Sequence, residues 1–209
     1  MAQLTFYTNP MSRGRIARWM LEEVGEAYET VLLDYGTTMK SPDYLAVNPM
    51  GKVPAIRHGD TVVTETAAIC AYLADAFPQA GLAPPPAERG AYYRWLFFGA
   101  GPVEAAVTAK ALGLLAPEDK KMMAGYGSYG DVIDALERAV SGRDYIAGDR
   151  FSAADLYIAS QLGWGMMFGT IEKRPAFEAY VARMDSRPAA RRANELDDAA
   201  MPQKETQPA

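Results

Sequence analysis

Two hydrophobic patterns divide this chain. Up to about residue 77 short apolar runs alternate with helical repeats; from Glu88 to about Asn194 only the helical repeat persists. Leu4–Tyr7 (LTFY) reads as a short strand and Asn9-Pro10 as the turn after it. From Arg13, residues Ile16, Ala17, Met20, Leu21 and Val24 recur on one helix face, and Gly25 is a natural stop. Tyr28–Leu33 (YETVLL) predicts a second strand, and the right-handed crossover rule makes the two strands parallel neighbours. The polar stretch Asp34–Gly51 has room for one short helix. Val53–Ile56 and Thr61–Val63 flank a Gly59-Asp60 turn and predict a hairpin. Pro54 has no N–H to donate to a ladder, so it belongs at an edge or before a bend. A helix is predicted over Glu65–Phe77, with Ile69, Tyr72, Leu73 and Ala76 on one face and Pro78 beyond its end.

Residues 1–79 therefore predict a mixed α/β domain of order β-α-β-α-β-β-α. Pro78–Pro86 (PQAGLAPPP) holds four prolines and marks a linker, placed at residues 80–86. Residues 87–195 predict an all-helical domain, broken near Pro117, Gly142–Gly148 and Arg174-Pro175. The polar residues 196–209 predict a mobile tail.

Composition narrows the function classes. At 209 residues the chain suits one large or two small domains with a real core. Apolar content of 49% and charged content of 22% are ordinary for a globular protein. A net charge of −5 argues against a general nucleic-acid binder, whose affinity comes from neutralising phosphates. The opening MAQLTFYTNPMSRGR has no apolar signal core, and no run approaches the roughly 18 apolar residues of a membrane span. Cys70 is the only cysteine, which excludes an intrachain disulfide and a C-x-x-C redox pair. The expectation is a cytoplasmic protein with neither nucleic acid nor membrane as partner. His58, the only histidine, is expected on the hairpin surface, Cys70 in helix packing, and a metal site nowhere.

Four segments carry more specific signals: Met39–Pro49 (MKSPDYLAVNP), Asn48–Ile56 (NPMGKVPAI), Thr64–Leu73 (TETAAICAYL) and Gly148–Asp155 (GDRFSAAD). The last reads directly as a structural device. Ser152 caps a helix, Asp155 three residues on returns a bond, and Phe151 and Leu156 staple the entry. With these segments in this order, an α/β half, a proline-rich linker and a helical half, the chain resembles the cytosolic glutathione S-transferases over nearly its whole length. The likeness is to the bacterial, serine-using members.

That resemblance implies a thioredoxin-like first domain and a cis Val53–Pro54 bond that turns the Val53 backbone toward the cysteinyl part of glutathione, the co-substrate. It implies that Glu65 and Thr66 hold the γ-glutamyl part. A helix N-terminus suits the carboxylate, the Thr66 hydroxyl adds a donor, and Glu65 takes the ammonium. Lys40 and Lys52 match positions that reach the glycyl carboxylate. The nucleophile is the thiolate, yet a free thiol with a pKa of about 8.5 is only a few per cent ionised at pH 7. A hydroxyl donor beside a helix N-terminus lowers that pKa. Within Tyr7–Arg15 (YTNPMSRGR) two hydroxyls compete for the role. Ser12 stands just before the first helix, as in the serine-using classes, where it also suits an ordinary N-cap. Tyr7 ends the first strand, as in the tyrosine-using ones. Arg13 adds positive potential beside either. A small hydrophobic electrophile is expected in an interdomain cleft, with Tyr92–Gly101 and Trp164–Gly169 as its lining or as plain helix packing. Glu104 is a candidate to reach a glutathione ammonium from the partner subunit, or lies on a solvated helix face. The resemblance also implies a homodimer and a detoxifying role. Glutathione-dependent isomerisation, dehalogenation or peroxide reduction would use the same thiolate, and a non-catalytic glutathione-binding protein the same scaffold.

Overall fold

The computed structural model describes residues 3–201. Strands β1 (Leu4–Thr8), β2 (Glu29–Leu32), β3 (Ala55–His58) and β4 (Thr61–Thr64) form one sheet in the order β2-β1-β3-β4. β1 and β2 are parallel and joined through helix α1 (Gly14–Val24); the pairings of β3 with β1 and with β4 are antiparallel. Along β1 the pleat buries Leu4, Phe6 and Thr8 and leaves Thr5 and Tyr7 half-buried. Gly25 ends α1 in the left-handed region, φ 77°, returning its N–H to the Leu21 carbonyl at 3.0 Å.

The hairpin begins two residues later than the apolar run suggests. β3 is bonded on both sides, a place where a proline would cost a ladder bond, and Val53-Pro54 lies just outside it with its peptide bond cis. The stretch before it holds a single turn of 3₁₀ helix (Thr38–Lys40) and a short helix α2 (Pro42–Leu45), capped by Ser41 Oγ, which accepts from Tyr44 N–H. Helix α3 (Thr66–Ala76) follows β4.

After α3 the described elements are helical: α4 (Gly90–Phe98), α5 (Glu104–Ala111), α6 (Tyr129–Val140), α7 (Ala153–Met167), α8 (Pro175–Asp185) and α9 (Pro188–Ala199). A π-turn at Gly99–Val103 joins α4 to α5; a Cβ on Gly99 would lie 2.8 Å from the Tyr157 ring of α7, so glycine lets the two helices touch. Every residue from Phe151 to Ser160 is buried, which marks α7 as a helix surrounded by protein. At its start Asp155, with no exposed surface, accepts from Ser152 N–H (2.9 Å), Ser152 Oγ–H (2.8 Å), Ile146 N–H (2.6 Å) and Tyr180 O–H (2.8 Å). The segment expected as a linker is tied down. Leu82 is buried, its carbonyl accepts the Ala153 N–H at 2.8 Å, and Arg89 holds the Pro84 carbonyl at 2.8 Å and Asp75 at 2.7 Å.

The described chain divides into two compact units. One runs from the N-terminus to Ile69 and includes the segment from Pro188; the other is Cys70–Arg187. The division between these units falls within α3, and residues 196–199, expected in a mobile tail, instead complete α9. The remainder of that tail, residues 202–209, lies outside the described residues. Helix α9 packs on α1 with Ala190, Ala193 and Asp197 inward, a stripe too small and too acidic to register as hydrophobic. Three ion pairs cross this contact: Arg18–Asp197 (2.7 Å, both buried), Arg15–Asp198 (2.6 Å) and Arg192–Glu22 (2.7 Å). Burial pushes the Asp197 carboxyl above the ordinary carboxylate range, and the Arg18 guanidinium pulls it back.

Candidate active site

The sheet register gathers the candidate residues at one edge. Ala55 pairs with Tyr7 on one side and Thr64 on the other, and Tyr7 pairs with Val31. The end of β1, the start of β3 and the end of β4 therefore share that edge. Three segments meet there: the Asn9–Arg13 turn into α1, the cis bond into β3, and Glu65 into α3. An open edge beyond the carboxyl ends of strands is where α/β sheets receive ligands.

The first segment is braced on every side. The Asn9 amide donates to the Leu33 carbonyl (2.8 Å) and its Oδ1 accepts the Met11 N–H (2.9 Å). Arg15 Nε holds the Pro10 carbonyl at 2.7 Å, and the Tyr35 hydroxyl reaches the Met11 carbonyl at 3.2 Å. Between them Ser12, only 6% exposed, donates from Oγ to the Asn9 carbonyl at 2.6 Å and accepts the Gly14 N–H at 2.9 Å. Arg13, exposed, occupies the cap position of α1, so Ser12 is not the N-cap. Its oxygen nonetheless meets one of the helix's orphan N–H groups, at the positive end of the dipole. Gly14 is required by proximity: a Cβ there would stand 1.9 Å from Thr8 Oγ1 and 2.9 Å from Ser12 Oγ.

The second segment is held through the Lys52 carbonyl, which accepts from the Tyr44 hydroxyl (2.6 Å) and the Asn48 amide (2.8 Å). Both bonds fix the backbone immediately before Val53. Burial pushes the Tyr44 phenol up to about 12, so it remains a donor across the neutral range. Lys40 Nζ donates to the carbonyls of Met50 (3.0 Å) and Gly51 (2.9 Å), closing the loop from the other side. Beneath, Tyr7, Val31, Val47 and Val53 pack on Leu33, Met39, Tyr44 and Ala55, with the Tyr7 and Tyr44 rings tilted at 5.6 Å between centroids.

The third segment carries a strained residue. Glu65 has φ 66°, the only non-glycine among the described residues at positive φ. An L-residue in that region costs on the order of 1 kcal/mol, and such strain concentrates at ligand sites. Its side chain is exposed, and the buried Thr66 follows as the first residue of α3.

Sequence comparison decides what kind of site this is. Residues 2–75 match the family described as glutathione S-transferase, N-terminal domain, and residues 108–188 match its C-terminal domain. Glutathione S-transferase 3 of Zea mays is 31% identical over 205 residues, spanning 90% of this chain and 92% of the relative. The chain belongs to the glutathione S-transferase family. The crystal structure of a glutathione transferase from Methylococcus capsulatus is similar at a TM-score of 0.77 and 32% identity, over 94% of this chain and 99% of that one. A sphingomonad glutathione S-transferase complexed with glutathione gives 0.73 and 30%, over 93% and 98%.

In this glutathione S-transferase, Ser12, Arg13, Val53, Pro54, Glu65 and Thr66 all fall at the open edge of the sheet. Lys52 contributes its carbonyl to the loop and exposes its side chain. The Lys40 ammonium already serves two carbonyls, which leaves one of its three protons for another acceptor. Tyr7 faces the apolar cluster with Tyr44. Ser152 and Asp155 belong to the other unit, inside the α7 core. Of the aromatic stretches, Tyr92, Trp95 and Leu96 are buried packing, whereas Phe97, Met167 and Phe168 are exposed. Cys70 is fully buried and its thiol is pushed up to about 12, which makes it a poor nucleophile. Among the described residues no cluster of His, Cys, Asp and Glu could hold a metal ion, and no helix is long and apolar enough to cross a membrane. Sequence reasoning missed Asn9, Tyr44 and Asn48. The Asn-Pro turn carried a signal for Asn9, whose side chain mimics a backbone turn. The other two bond across loops, where no periodic pattern points to them.

Proposed function

We propose that this glutathione transferase binds glutathione along the open sheet edge and ionises its thiol with the Ser12 hydroxyl, for attack on a small hydrophobic electrophile. One observation carries the assignment: Ser12 Oγ is fixed at the positive end of α1 by the Gly14 N–H. Rotation about the Cβ–Oγ bond swings its proton from the Asn9 carbonyl to an arriving sulfur without moving the oxygen. The Asn9 carbonyl keeps the Ser12 N–H, at 3.1 Å, so nothing is orphaned. A donor held in place beforehand stabilises the thiolate without reorganisation. The Val53 backbone pairs with the cysteinyl group, Glu65 and Thr66 hold the γ-glutamyl end, and Lys52, with the remaining Lys40 proton, meets the glycyl carboxylate. The working form is a cytoplasmic homodimer, two-fold symmetry being the commonest oligomeric choice; a monomer in sedimentation at micromolar concentration would reject it.

The test is the thiolate absorbance of the glutathione complex against pH in wild type, Ser12→Ala and Tyr7→Phe. Ser12→Ala should raise the bound thiol's pKa, lower kcat with a chloronitroaromatic by about 100-fold, and keep glutathione affinity within a few-fold. Tyr7→Phe should leave the titration in place. A shift in Tyr7→Phe with none in Ser12→Ala transfers the role to Tyr7. Glutathione retention without turnover in the wild type would identify a binding protein.

A further inference from the structure

We propose that Tyr44 and Asn48 are positioning residues for the cysteinyl part of glutathione: by holding the Lys52 carbonyl between them, they aim the Val53 N–H at the ligand. The inference rests on the Val53 reading and adds two residues to it. The loop before the cis bond lies outside the sheet, yet side chains hold three of its carbonyls in a row. Lys40 Nζ donates to those of Met50 (3.0 Å) and Gly51 (2.9 Å). The Tyr44 hydroxyl (2.6 Å) and the Asn48 amide (2.8 Å) both donate to that of Lys52. These two donors are buried, at 3% and 5% exposure, whereas Lys52 itself is exposed. One donor satisfies a loop carbonyl; two, filling both of its lone pairs, also fix its direction.

That direction decides where the next amide points. Val53–Pro54 is the only cis peptide among the described residues, so the Lys52–Val53 peptide is trans. In a planar trans unit the C=O and N–H face opposite sides. With the carbonyl held toward Tyr44 and Asn48, the Val53 N–H points away from both. Neither the ladders nor the turns among the described residues give that N–H a backbone partner. It is a donor set in place and left over by the backbone. A ligand presenting a backbone carbonyl, as the cysteinyl residue of glutathione does, gains the bond without first ordering the loop. The cysteinyl carbonyl and the sulfur belong to one residue, so holding the first places the second. Asn48 also secures the loop it acts on: its Oδ1 accepts the Met50 N–H (3.1 Å) and its carbonyl the Gly51 N–H (2.8 Å). Turning the Lys52–Val53 peptide over would break both bonds to its carbonyl at once.

The test follows the Val53 amide itself by NMR of the isotope-labelled protein. In wild type, saturating glutathione should move the Val53 amide proton downfield and slow its exchange with solvent. Tyr44→Phe keeps the ring that packs on Tyr7 and loses one donor. It should shrink both amide responses and raise the calorimetric Kd for glutathione by about three- to tenfold. Asn48→Asp keeps the Oδ1 bond to the Met50 N–H but turns an acceptor toward the Lys52 carbonyl, and should shrink the amide responses further. Ser152→Ala, in the other unit, should lower the urea midpoint and leave Kd and the Val53 amide as in wild type. A Val53 amide that answers glutathione equally in wild type, Tyr44→Phe and Asn48→Asp overturns the proposal and leaves the Val53 reading intact. Equal losses of affinity and amide response in Ser152→Ala overturn it as well, since lowered stability would then account for both. A wild-type amide that does not respond to bound glutathione removes Val53 from the site, and this proposal with it.

Discussion

Replacing Asp155 by Ala removes one acceptor from four donors at once. Two are backbone N–H groups, of Ile146 and Ser152, which cannot rotate away; the others are the hydroxyls of Ser152 and of the buried Tyr180. Hydrogen bonds to a charged group contribute roughly 1.5–3 kcal/mol each, and each donor left buried and unpaired costs roughly 1–3 kcal/mol. These figures do not add. Burial opposes the carboxylate, pushing its pKa upward, and so offsets part of the gain. A net loss of about 3–5 kcal/mol is expected, a large fraction of the roughly 5–15 kcal/mol that hold a typical domain. Ser152→Ala, which loses one hydroxyl, should cost about 1 kcal/mol. Asp155→Asn keeps Oδ1 facing Ile146 and Tyr180 and should fall between the two. Urea unfolding of the three variants measures the order through the midpoint at constant slope. Equal midpoints for Asp155→Ala and Ser152→Ala would refute the four-donor account and reduce the motif to an ordinary cap. The pH dependence has a definite sign. A carboxyl whose folded pKa is raised binds its proton more tightly when folded, so its contribution falls as pH rises from the unfolded pKa through the folded one. The stability gap between wild type and Asp155→Asn should therefore widen as pH drops from 7 toward 4.

Two further outcomes test other parts of the first unit. Arg18→Met strands the buried Asp197 charge and should lower stability by about 3–5 kcal/mol, whereas Arg18→Met with Asp197→Leu should lose much less; equal losses in urea unfolding would show that packing, not charge pairing, matters there. Glu65→Gly relieves the left-handed strain and should raise stability by about 0.5–1 kcal/mol, while calorimetry should find glutathione binding weakened roughly ten- to a hundredfold; unaltered binding would remove Glu65 from the site.

What was legible in the sequence follows from range. The strands, α1 with its glycine stop, and the Ser152–Asp155 motif are written in residues a few positions apart, and local periodicity finds them. Pro54 announced its own exclusion from the ladder, because a missing N–H is visible in the sequence. Asp155 was readable as a capping partner, but Ile146 and Tyr180 reach it from nine and twenty-five residues away, which no local pattern encodes. The last turn of α9 and its place beside α1 were illegible for a different reason: alanines and paired charges hold them, and hydropathy scores both as surface. Within the candidate site, the sequence names the positions that match the family's motifs, while the side chains that brace them, Asn9, Tyr44 and Asn48, act on backbone carbonyls and amides that carry no residue-specific signature.

The clasp between α1 and α9 sets an order of assembly. Arg18 leaves the ribosome early, and its buried partner Asp197 follows 179 residues later. At about 5–20 residues per second, roughly nine to thirty-six seconds separate them, far longer than a helix needs to form. Within that interval Cys70–Arg187 emerges and can pack, while the segment ending at Ile69 still waits for its last helix. The unit synthesised first is thus the one completed last.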